Sequence, residues 1–253
     1  MLAITHVPSQ RIDQCKCTYV AQTPVDYDRA FGQHKGYCRT LRECGVEVHT
    51  LEVNREFPDC AFVEDTAIVL DELAVLAAMG EESRRTEPAG IEPELRRYRE
   101  VYRVELPGTI EGGDVLRVGR TLLVGLSSRT NSAGISALDT IVRRCGYRVV
   151  AVPVRGCLHL KTACTALPDG RLLVNPAWLD VRDLGDYELT PVPDDEPWGA
   201  NVALVGTSVC ASAAHVRTAD SIREEGFDVQ LVDLSEFAKA EGGVTCLSLV
   251  FDS

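Results

Sequence analysis

Residues 101–131 read VYRVELPGTIEGGDVLRVGRTLLVGLSSRTN, a stretch in which three alternating, apolar-rich segments are separated by polar turns. Alternation with a period of two residues is typical of half-buried strands. It predicts strands at Val101–Leu106, Asp114–Val118 and Thr121–Gly125. Only Gly119 and Arg120 separate the last two segments, which favours a tight hairpin between them. The stretch therefore predicts a strand, a polar loop and a hairpin.

A helix is predicted directly after this hairpin. Asn131 or Ser132 is a residue type that caps helix N-termini, and Gly146 is suited to end the helix after Cys145. Similar signals delimit three further helical segments: Asp26–Cys44 before Gly45, Ser212–Glu225 before Gly226, and a run with early prolines that ends near Arg99. In the fourth unit only the short stretch Trp178–Leu184 is available, so its helix is expected to be degenerate.

The same pattern recurs along the chain. Strands comparable to Val101–Leu106 are predicted at Val46–Val53, Tyr147–Val154, Tyr187–Val192 and Phe227–Leu234. The loops that follow these five strands carry chemically distinctive residues 42 to 48 positions apart, namely Glu64 with Asp65, Glu111, His159, Asn201 and Cys246. Such repetition indicates blades arranged around an axis, with equivalent loops at one mouth. The alternative is coincidence among loop residues, which are commonly polar.

Composition restricts the class of protein. The chain has 253 residues, 45% of them hydrophobic and 25% charged, which are ordinary values for a globular protein. With 26 basic and 38 acidic residues the formal net charge is −12. This balance argues against nucleic-acid binding, which usually requires a basic patch, and suits a cationic small molecule.

The N-terminal sequence and the cysteines bear on the compartment. MLAITHVPSQRIDQCKC has neither a basic start nor a continuous apolar core, and the chain lacks an apolar run long enough for a membrane span. We therefore expect a cytoplasmic protein whose ten cysteines are free thiols rather than disulfides. Zinc is the alternative, but the pairs Cys15-x-Cys17 and Cys157-x-His159 lack the spacing of structural zinc sites.

Three of the recurrent loop residues form a candidate catalytic group. Cys246 lies in GGVTCLSLVF, His159 in CLHLKT and Glu111 in TIEGGDVL. A thiol becomes nucleophilic beside a base or a cation, and a carboxylate can orient the base. Taken singly, each residue is more typical of a packed or surface position. Their placement on equivalent loops is what favours a Cys/His/carboxylate site.

Acids and arginines near the same mouth predict the kind of ligand. Asp59 lies in FPDCAF, and Glu64 and Asp65 lie in FVEDTA, where carboxylates can bind a guanidinium through paired hydrogen bonds. Arg84 in ESRRTE and Arg129 in SSRTN follow hairpin strands and suit a fixed carboxylate. Solvated turn acids and surface ion pairs are the alternatives. Together these residues predict a ligand with a cationic head and a carboxylate tail, such as an arginine derivative.

Taken jointly, these motifs resemble one known family, the dimethylarginine dimethylaminohydrolases of the guanidine-modifying (pentein) superfamily. The segments that carry the resemblance are VDYDRAFGQHKGY, FPDCAFVEDTA, ESRRTE, GTIEGGDVL, LSSRTN, LHLKT and GGVTCLSL, which together span nearly the whole chain. The resemblance implies an α/β fold, a five-bladed α/β propeller of pseudo-five-fold ββαβ repeats. It also implies a single domain over residues 1–253, in agreement with the repeat described above.

The resemblance also implies a role for each candidate residue. Cys246 would be the nucleophile, His159 the general acid and base, and Glu111 the group that orients it. For the substrate, Asp65 would bind the guanidinium nitrogens, Glu64 would line the guanidinium pocket, Asp59 would contact the α-amino group, and Arg84 and Arg129 would hold the α-carboxylate. The implied reaction converts Nω,Nω-dimethyl-L-arginine or the monomethyl form to L-citrulline and an amine through a covalent thiouronium. No metal and no organic cofactor is implied.

Two positions bear on the substrate. Arginine deiminases carry a His-x-Asp motif whose Asp binds the unmodified guanidinium, whereas Lys161 stands at that position here, which favours a methylated substrate. The flap near residues 14–19 reads QCKCTY, with Lys16 and Cys17 where the family often has a leucine. A hydrolase or amidinotransferase for another guanidine compound, and a non-catalytic relative, remain alternatives. A homodimer is compatible with the sequence.

Overall fold

The structure, a computed structural model, describes residues 1–252. Its strands are β1 (Leu2–His6), β2 (Glu47–Leu51), β3 (Ala67–Val69), β4 (Leu73–Leu76), β5 (Glu100–Arg103), β6 (Val115–Val118), β7 (Thr121–Leu126), β8 (Arg148–Pro153), β9 (Cys164–Ala166), β10 (Leu172–Val174), β11 (Leu189–Pro191), β12 (Ala203–Val205), β13 (Ser208–Ser212), β14 (Asp228–Val232) and β15 (Ser248–Phe251). Its α-helices are α1 (Tyr27–Glu43), α2 (Glu87–Leu95), α3 (Ser132–Val142), α4 (Leu160–Ala163), α5 (Val216–Glu224) and α6 (Ser235–Ala238).

These strands form five sheets of three strands each within residues 1–252. Blade 1 has the order β15-β1-β2, and blades 2 to 5 are β3-β4-β5, β6-β7-β8, β9-β10-β11 and β12-β13-β14. In every blade the first two strands are antiparallel and the third is parallel to the second. An α-helix lies between the second and third strands of blades 1, 2, 3 and 5, whereas blade 4 has only a 3₁₀ turn in its crossover. Four blades are thus ββαβ units, and blade 4 is a reduced version of the same unit.

The grouping of strands differs from the expected one in one respect. The strand that opens each predicted unit is the third strand of the preceding blade, because it pairs with the hairpin before it. β5, for example, runs parallel to β4, with Leu73 opposite Glu100, rather than joining the hairpin that follows it. Alternation predicts that a strand exists but carries no information on its partner.

The hydrophobic core closes the blades into a ring. It consists of five clusters, each of which lies between two neighbouring blades, including one between blades 5 and 1. β1 shows the reason, since Ala3 points into the cluster shared with blade 5 while Leu2 and Ile4 point into the cluster shared with blade 2. The antiparallel pairing of β1 with β15 joins the two ends of the chain within blade 1. The five-bladed α/β propeller is confirmed.

The helices begin and end close to the predicted caps. The Asp26 side chain accepts a hydrogen bond from Arg29 N at the start of α1, and Asn131 does the same for Gly134 N at the start of α3. After α3 a 3₁₀ turn, Arg143–Cys145, leads to Gly146 at φ 78°. α5 begins at Val216 rather than Ser212, because residues 208–212 form β13. α2 covers only Glu87–Leu95, and the degenerate helix of blade 4 is the 3₁₀ turn Val181–Leu184.

Two further observations concern the chain as a whole. Among residues 1–252, every helix is too short or too polar to reach across a lipid bilayer. The ten cysteines carry free thiols, and those at 15, 38, 60, 157, 164 and 210 are buried.

One set of turns determines where the functional residues lie. A tight turn stands immediately before the first strand of four blades: Val63–Thr66, Gly112–Asp114, α4 and Thr245–Leu247. The turn at Val63–Thr66 contacts those at Gly112–Asp114 and Thr245–Leu247, and α4 contacts Gly112–Asp114. Equivalent turns of different blades therefore meet beside the axis of the ring.

Candidate active site

The meeting turns bring together residues that are far apart in the sequence. Glu111 directly precedes the turn Gly112–Asp114, His159 is the residue before α4, and Cys246 lies in the turn Thr245–Leu247. Each residue is thus supplied by a different blade, either within the turn before its first strand or directly before that turn.

Glu111 and His159 form a buried pair. Nε2 of His159 lies 2.7 Å from Oε2 of Glu111, and neither side chain is more than 4% exposed. The other carboxylate oxygen accepts a hydrogen bond of 3.0 Å from Gly80 N and lies 3.7 Å from Nη1 of Arg129. Burial by itself would raise the pKa of Glu111, but the bond to His159 and the charges of Arg84 and Arg129 lower it to about 2. Glu111 is an anion at any ordinary pH.

The imidazole of His159 is held in its charged form. Burial alone would lower its pKa, but the carboxylates of Asp65 and Glu111 raise it to about 9. Nδ1 faces Asp65, with Oδ1 of that residue 3.7 Å away. The close approach requires glycine at position 113, because a Cβ there would lie 2.7 Å from both Asp65 Oδ1 and His159 Nδ1. His159 is therefore an imidazolium at neutral pH.

Asp114 holds the segment that carries His159. Its carboxylate accepts hydrogen bonds from Leu160 N, at 2.9 Å, and from the Ser127 hydroxyl, at 2.6 Å. The side chain is fully buried. Asp114 was not among the predicted site residues; its position three residues after Glu111, at the start of a strand otherwise rich in apolar residues, was the available signal.

Cys246 lies at the wall of the site and is partly exposed. Its Sγ accepts a hydrogen bond from Gly243 N at 3.4 Å. Removal from bulk water, and then the nearby carboxylates of Asp65 and Glu64, raise the pKa of the thiol to about 12. The group is therefore a neutral thiol at neutral pH.

Asn201, supplied by blade 5, fixes the loop that carries Cys246. Its Nδ2 donates to Lys161 O at 2.8 Å and to Thr245 Oγ1 at 3.0 Å, and its Oδ1 accepts from Thr245 N at 3.1 Å. A Cβ at Gly243 would lie 2.3 Å from Oδ1 of Asn201, so only glycine permits this packing. The residue was recognised as part of the repeat but was not predicted to belong to the site.

A small cavity joins most of the predicted residues. Its volume is about 20 Å³, room for about one water molecule. Six of the eight predicted residues line it: Asp59, Asp65, Arg84, Arg129, His159 and Cys246. Lys16 and Glu241 also line it. A ligand larger than water requires movement of the segments that cover it.

Arg84 is more constrained than expected. It is 3% exposed, and its Nη1 donates to Asp65 Oδ2 at 2.7 Å. Nε and Nη2 donate to Glu87, and Nη2 also donates to Phe62 O. Burial opposes its charge, but Glu87 and Asp65 raise the pKa of Arg84. One N–H of Nη1 remains, so Arg84 chiefly positions Asp65, with Glu87, three residues later in ESRRTE, as its unpredicted partner.

Two buried carboxylate oxygens in this region have no hydrogen-bond partner among residues 1–252. They are Oδ1 of Asp65 and Oε2 of Glu64. An unpaired buried acceptor costs free energy, so such atoms are suited to a ligand that supplies N–H donors. Asp65 Oδ1 belongs to a residue that lines the cavity beside Cys246.

Glu64 occupies a different place from the one expected. Its Oε1 is bound by Nζ of Lys161 at 2.6 Å, and burial is the main reason why its pKa is raised. Both residues line a second cavity of about 400 Å³, which is bordered by residues of the first strands of all five blades. Glu64 and Lys161 therefore lie where the turns of the site meet the central channel of the ring.

The site also contains a group suited to metal ligands. Ligand atoms of Asp65, Glu111 and His159 lie within 4.8 Å of one another. Their charge is already balanced within the protein, because Arg84 binds Asp65 and Arg129 lies beside Glu111. Arg84 and Arg129 thus compensate the charge of these carboxylates, which can lie close together without a bound metal ion.

Comparisons with known proteins give a consistent result. The family model described as N,N dimethylarginine dimethylhydrolase, eukaryotic, matches residues 9–166. The chain is 41% identical over 249 residues to the N(G),N(G)-dimethylarginine dimethylaminohydrolase of Streptomyces coelicolor, which covers 98% of this chain and 95% of that protein. It is 36% identical over 228 residues to the enzyme of the same name from Pseudomonas aeruginosa, covering 89% and 90%.

Solved structures agree. A cysteine-to-serine variant of the Pseudomonas aeruginosa protein complexed with citrulline superposes with a TM-score of 0.94 at 32% identity, over 99% of this chain and 98% of the other. The N-terminal domain of ArgZ, an arginine dihydrolase, superposes with a TM-score of 0.86 at 22% identity, covering 98% of this chain and 97% of the other. The second likeness concerns the fold alone.

Proposed function

The chain belongs to the dimethylarginine dimethylaminohydrolase family, and we propose that it hydrolyses Nω,Nω-dimethyl-L-arginine, or the monomethyl form, to L-citrulline and dimethylamine or methylamine. One observation carries the proposal. Cys246 and His159, which is bound to Glu111, line one small cavity. Asp65 lines the same cavity, and its buried Oδ1 has no hydrogen-bond partner among residues 1–252. The groups come from turns of different blades, and we propose that residues 1–253 act as one domain.

The charges around the cavity suit the two ends of such a substrate. The unpaired Oδ1 of Asp65 would accept an N–H of the guanidinium, whose carbon would then face Cys246. Asp59, a buried carboxylate, would accept the α-ammonium group. Arg129, whose guanidinium has no carboxylate closer than 3.7 Å among residues 1–252, would bind the α-carboxylate.

Substrate binding would activate the nucleophile. Before substrate binds, removal from bulk water, and then the carboxylates of Asp65 and Glu64, keep the pKa of Cys246 raised and the thiol protonated. A guanidinium placed beside Sγ adds a positive charge, which favours the thiolate and lowers the pKa of the thiol. The thiol proton would pass to solvent, because His159 already carries a proton at neutral pH.

The first half of the reaction forms the covalent intermediate. Thiolate Sγ attacks the guanidinium carbon, an S–C bond forms, and the π electrons move onto nitrogen. Nε2 of His159 is bound to Glu111, so Nδ1 is the ring nitrogen that faces the cavity. Nδ1–H protonates the departing dimethylamine as its C–N bond breaks, which leaves a thiouronium on Cys246 and a neutral imidazole.

The second half restores the enzyme. Neutral His159 removes a proton from water, and the resulting hydroxide attacks the thiouronium carbon. The C–S bond then breaks and its electron pair returns to Sγ, while the proton of the carbon-bound hydroxyl group is released to solvent, which gives the neutral ureido group of citrulline. The dimethylamine, which leaves as a neutral amine, takes up this proton in solution, so the positive charge of the guanidinium ends on the alkylammonium product. One water is consumed, Sγ returns as thiolate, and His159 is again an imidazolium.

The surroundings of Lys161 support a methylated substrate. Glu64, the second acid near the guanidinium position, is neutralised by Lys161. Asp65 then provides the acceptor for the guanidinium, because its Oδ1 has no hydrogen-bond partner among residues 1–252 while its Oδ2 is bound by Arg84. A guanidinium with methyl groups on one nitrogen has fewer N–H donors than unmodified arginine. In a site with few acceptors, it therefore leaves fewer N–H groups without a hydrogen-bond partner.

A citrulline-release assay tests the proposal. Dimethylarginine, monomethylarginine, arginine and agmatine are compared at equal concentration, with Cys246→Ser as the control. We expect turnover of the methylated substrates and a loss of at least about 100-fold in the variant. Equal or greater activity on arginine would contradict the substrate assignment, and full activity of Cys246→Ser would contradict the covalent mechanism.

A further inference from the structure

Lys16 lies in a segment that covers the cavity beside Cys246. This segment is the flap introduced above, and in the structure we extend the name to residues 14–20. Lys16 lines the cavity, its side chain is exposed, and within residues 1–252 no carboxylate lies within 4.0 Å of its ammonium group. A lysine without a partner is ordinary on an open surface, but here it stands at the entrance to a site that already contains Arg84 and Arg129.

The flap is anchored on both sides of Lys16. Before it, the Cys15 thiol donates to Pro58 O at 3.3 Å, and after it the Cys17 thiol donates to Lys239 O at 3.5 Å. The Glu241 carboxylate then accepts hydrogen bonds from three consecutive flap amides, those of residues 18 to 20. The backbone at Lys16 is therefore held across the cavity.

Among the charges that line the cavity, one anion and two cations form no hydrogen-bonded ion pair within residues 1–252, although Arg129 lies 3.7 Å from Glu111. Asp65 binds Arg84, and the carboxylate of Glu241 is occupied by the flap amides. Asp59 forms no ion pair within 4.0 Å among the described residues, and it lies 6% exposed against the same cavity. Burial raises its pKa, as expected for a carboxylate without close compensation. The groups that remain are Asp59, Lys16 and Arg129.

This set complements an α-amino acid. An ammonium group can pair with Asp59, and a carboxylate can pair with two cations placed on opposite sides. Arg84 contributes little to the second pairing, because its N–H donors are largely used by Asp65, Glu87 and Phe62. A carboxylate bound by Arg129 alone would leave Lys16 uncompensated.

We propose that Lys16 determines specificity for substrates with a free α-carboxylate, which it binds together with Arg129 as the flap closes. The inference rests on the proposed function. It adds that the substrate must carry a carboxylate at the end opposite its guanidinium. A decarboxylated substrate ends in an amine and has no carboxylate. It would therefore place no anion between Lys16 and Arg129. The site would thus reject agmatine-type amines, because Lys16 and Arg129 would then have no anion to which they could donate a hydrogen bond.

The test compares one variant with two substrates. Lys16→Met keeps the unbranched side chain apart from its terminal nitrogen and removes its charge. Lys35→Met is the matched control, because Lys35 is an exposed lysine on α1 that lies 4.4 Å from the Phe31 ring and away from the cavity. Steady-state KM and kcat are measured for monomethyl-L-arginine and for its decarboxylated analogue, N-methylagmatine.

We expect Lys16→Met to raise the KM for monomethyl-L-arginine about tenfold, typical for loss of one charge-assisted contact, with kcat within about twofold. The KM for N-methylagmatine should stay the same or fall. Lys16→Arg should restore most of the affinity, and Lys35→Met should leave both substrates unchanged. An equal rise in KM for both substrates in Lys16→Met would show that Lys16 only supports the flap. An unchanged KM for both would show that Lys16 makes no contact with the substrate. Either result overturns the proposal.

Failure of the proposed function gives a different result. If the unmodified protein releases no citrulline from any methylated arginine, the assignment of the reaction fails before any variant is compared. Calorimetric titration with L-citrulline and with its decarboxylated analogue, (4-aminobutyl)urea, then tests Lys16 directly. A loss of binding confined to L-citrulline in Lys16→Met supports the inference, and its absence overturns it.

Discussion

Nε2 of His159 lies 2.7 Å from Oε2 of Glu111, and this contact decides which face of the imidazole is available for chemistry. The second carboxylate oxygen of Glu111 is itself fixed by Gly80 N. With Nε2 committed, Nδ1 is left beside Asp65 and the cavity that Cys246 lines. Glu111 thereby acts as a positioning residue that sets both the orientation and the charge of the ring.

Replacement of Glu111 by Gln tests this relationship. The amide keeps a hydrogen bond to Nε2 but removes a charge that raises the pKa of His159. We expect the pKa of the imidazole to fall and kcat at neutral pH to drop about 100-fold, because the ring loses the proton that the leaving amine requires. The pKa is measured by NMR titration of the histidine ring. An unchanged pKa would contradict the electrostatic role, whatever happens to kcat.

The same pair predicts opposite pH limits for stability. The pKa of His159 in the folded state, about 9, exceeds its ordinary value of 6.5. The ionisation of His159 therefore contributes fully to the unfolding free energy below pH 6.5, and this contribution is lost as the pH rises through about 9. The folded-state pKa of Glu111, about 2, lies below its ordinary value of 4.5, so its contribution is complete above that value and is lost as the pH falls towards about 2.

Urea denaturation between about pH 6 and about pH 10 measures the alkaline limit. We expect His159→Asn to remove much of the decline in unfolding free energy over this range. His215→Asn is the control, because burial lowers the pKa of His215, so this residue does not titrate on the alkaline side of the range. Parallel curves for His159→Asn and the unmodified protein would contradict a charged His159 in the folded state.

The state of the Cys246 thiol is tested by alkylation. With a pKa of about 12, the ligand-free thiol should react slowly with iodoacetamide at neutral pH and faster as the pH rises. Asp65→Asn removes a nearby anion that raises this pKa, so alkylation should accelerate at neutral pH while turnover falls. Peptide mapping by mass spectrometry follows Cys246 separately from the other nine cysteines. Slower alkylation in Asp65→Asn would contradict the assigned cause of the raised pKa.

Much of the ring could be predicted from the sequence, because its blades repeat at a nearly constant spacing and place Glu111, His159 and Cys246 in equivalent turns. Alternation does not specify pairing partners, so β5 was assigned to the hairpin that follows rather than to β4. The same limit applied to side chains. Whether Arg84 faces a substrate or is bound by Glu87 depends on where α2 packs, and that is a property of the assembled blades.

The buried pair of Arg84 and Glu87 predicts a large effect on stability. Glu87 is 1% exposed, and both of its oxygens accept hydrogen bonds from Arg84. Glu87→Gln removes one of the two carboxylates that pair with the buried guanidinium and leaves Asp65 to compensate it alone, which should lower the unfolding free energy by about 3 kcal/mol. Glu92→Gln, on the same helix but in a more exposed pair with Arg96, should cost less than about 1 kcal/mol. Equal losses would show that the Arg84 pair contributes no more than a surface ion pair.

The Glu241 carboxylate is expected to control how often the flap opens. The carboxylate accepts hydrogen bonds from three consecutive flap amides. The backbone of Glu241 has a φ of 61°, which is unfavourable for a residue other than glycine. Because the cavity has room for only about one water molecule, a substrate must enter while these bonds are broken.

Glu241→Ala should therefore raise the KM for N-methylagmatine and for monomethyl-L-arginine by a similar factor, unlike Lys16→Met, which should discriminate between them. It should also expose the bond after Lys16 to trypsin, so limited proteolysis at that bond should become at least about fivefold faster, which corresponds to a loss of about 1 kcal/mol of closure free energy. Glu43→Gln, at the exposed end of α1, is the control for loss of a surface acid. If cleavage at Lys16 proceeds at the same rate in Glu241→Ala as in the unmodified protein, the three amide bonds do not hold the flap closed in solution.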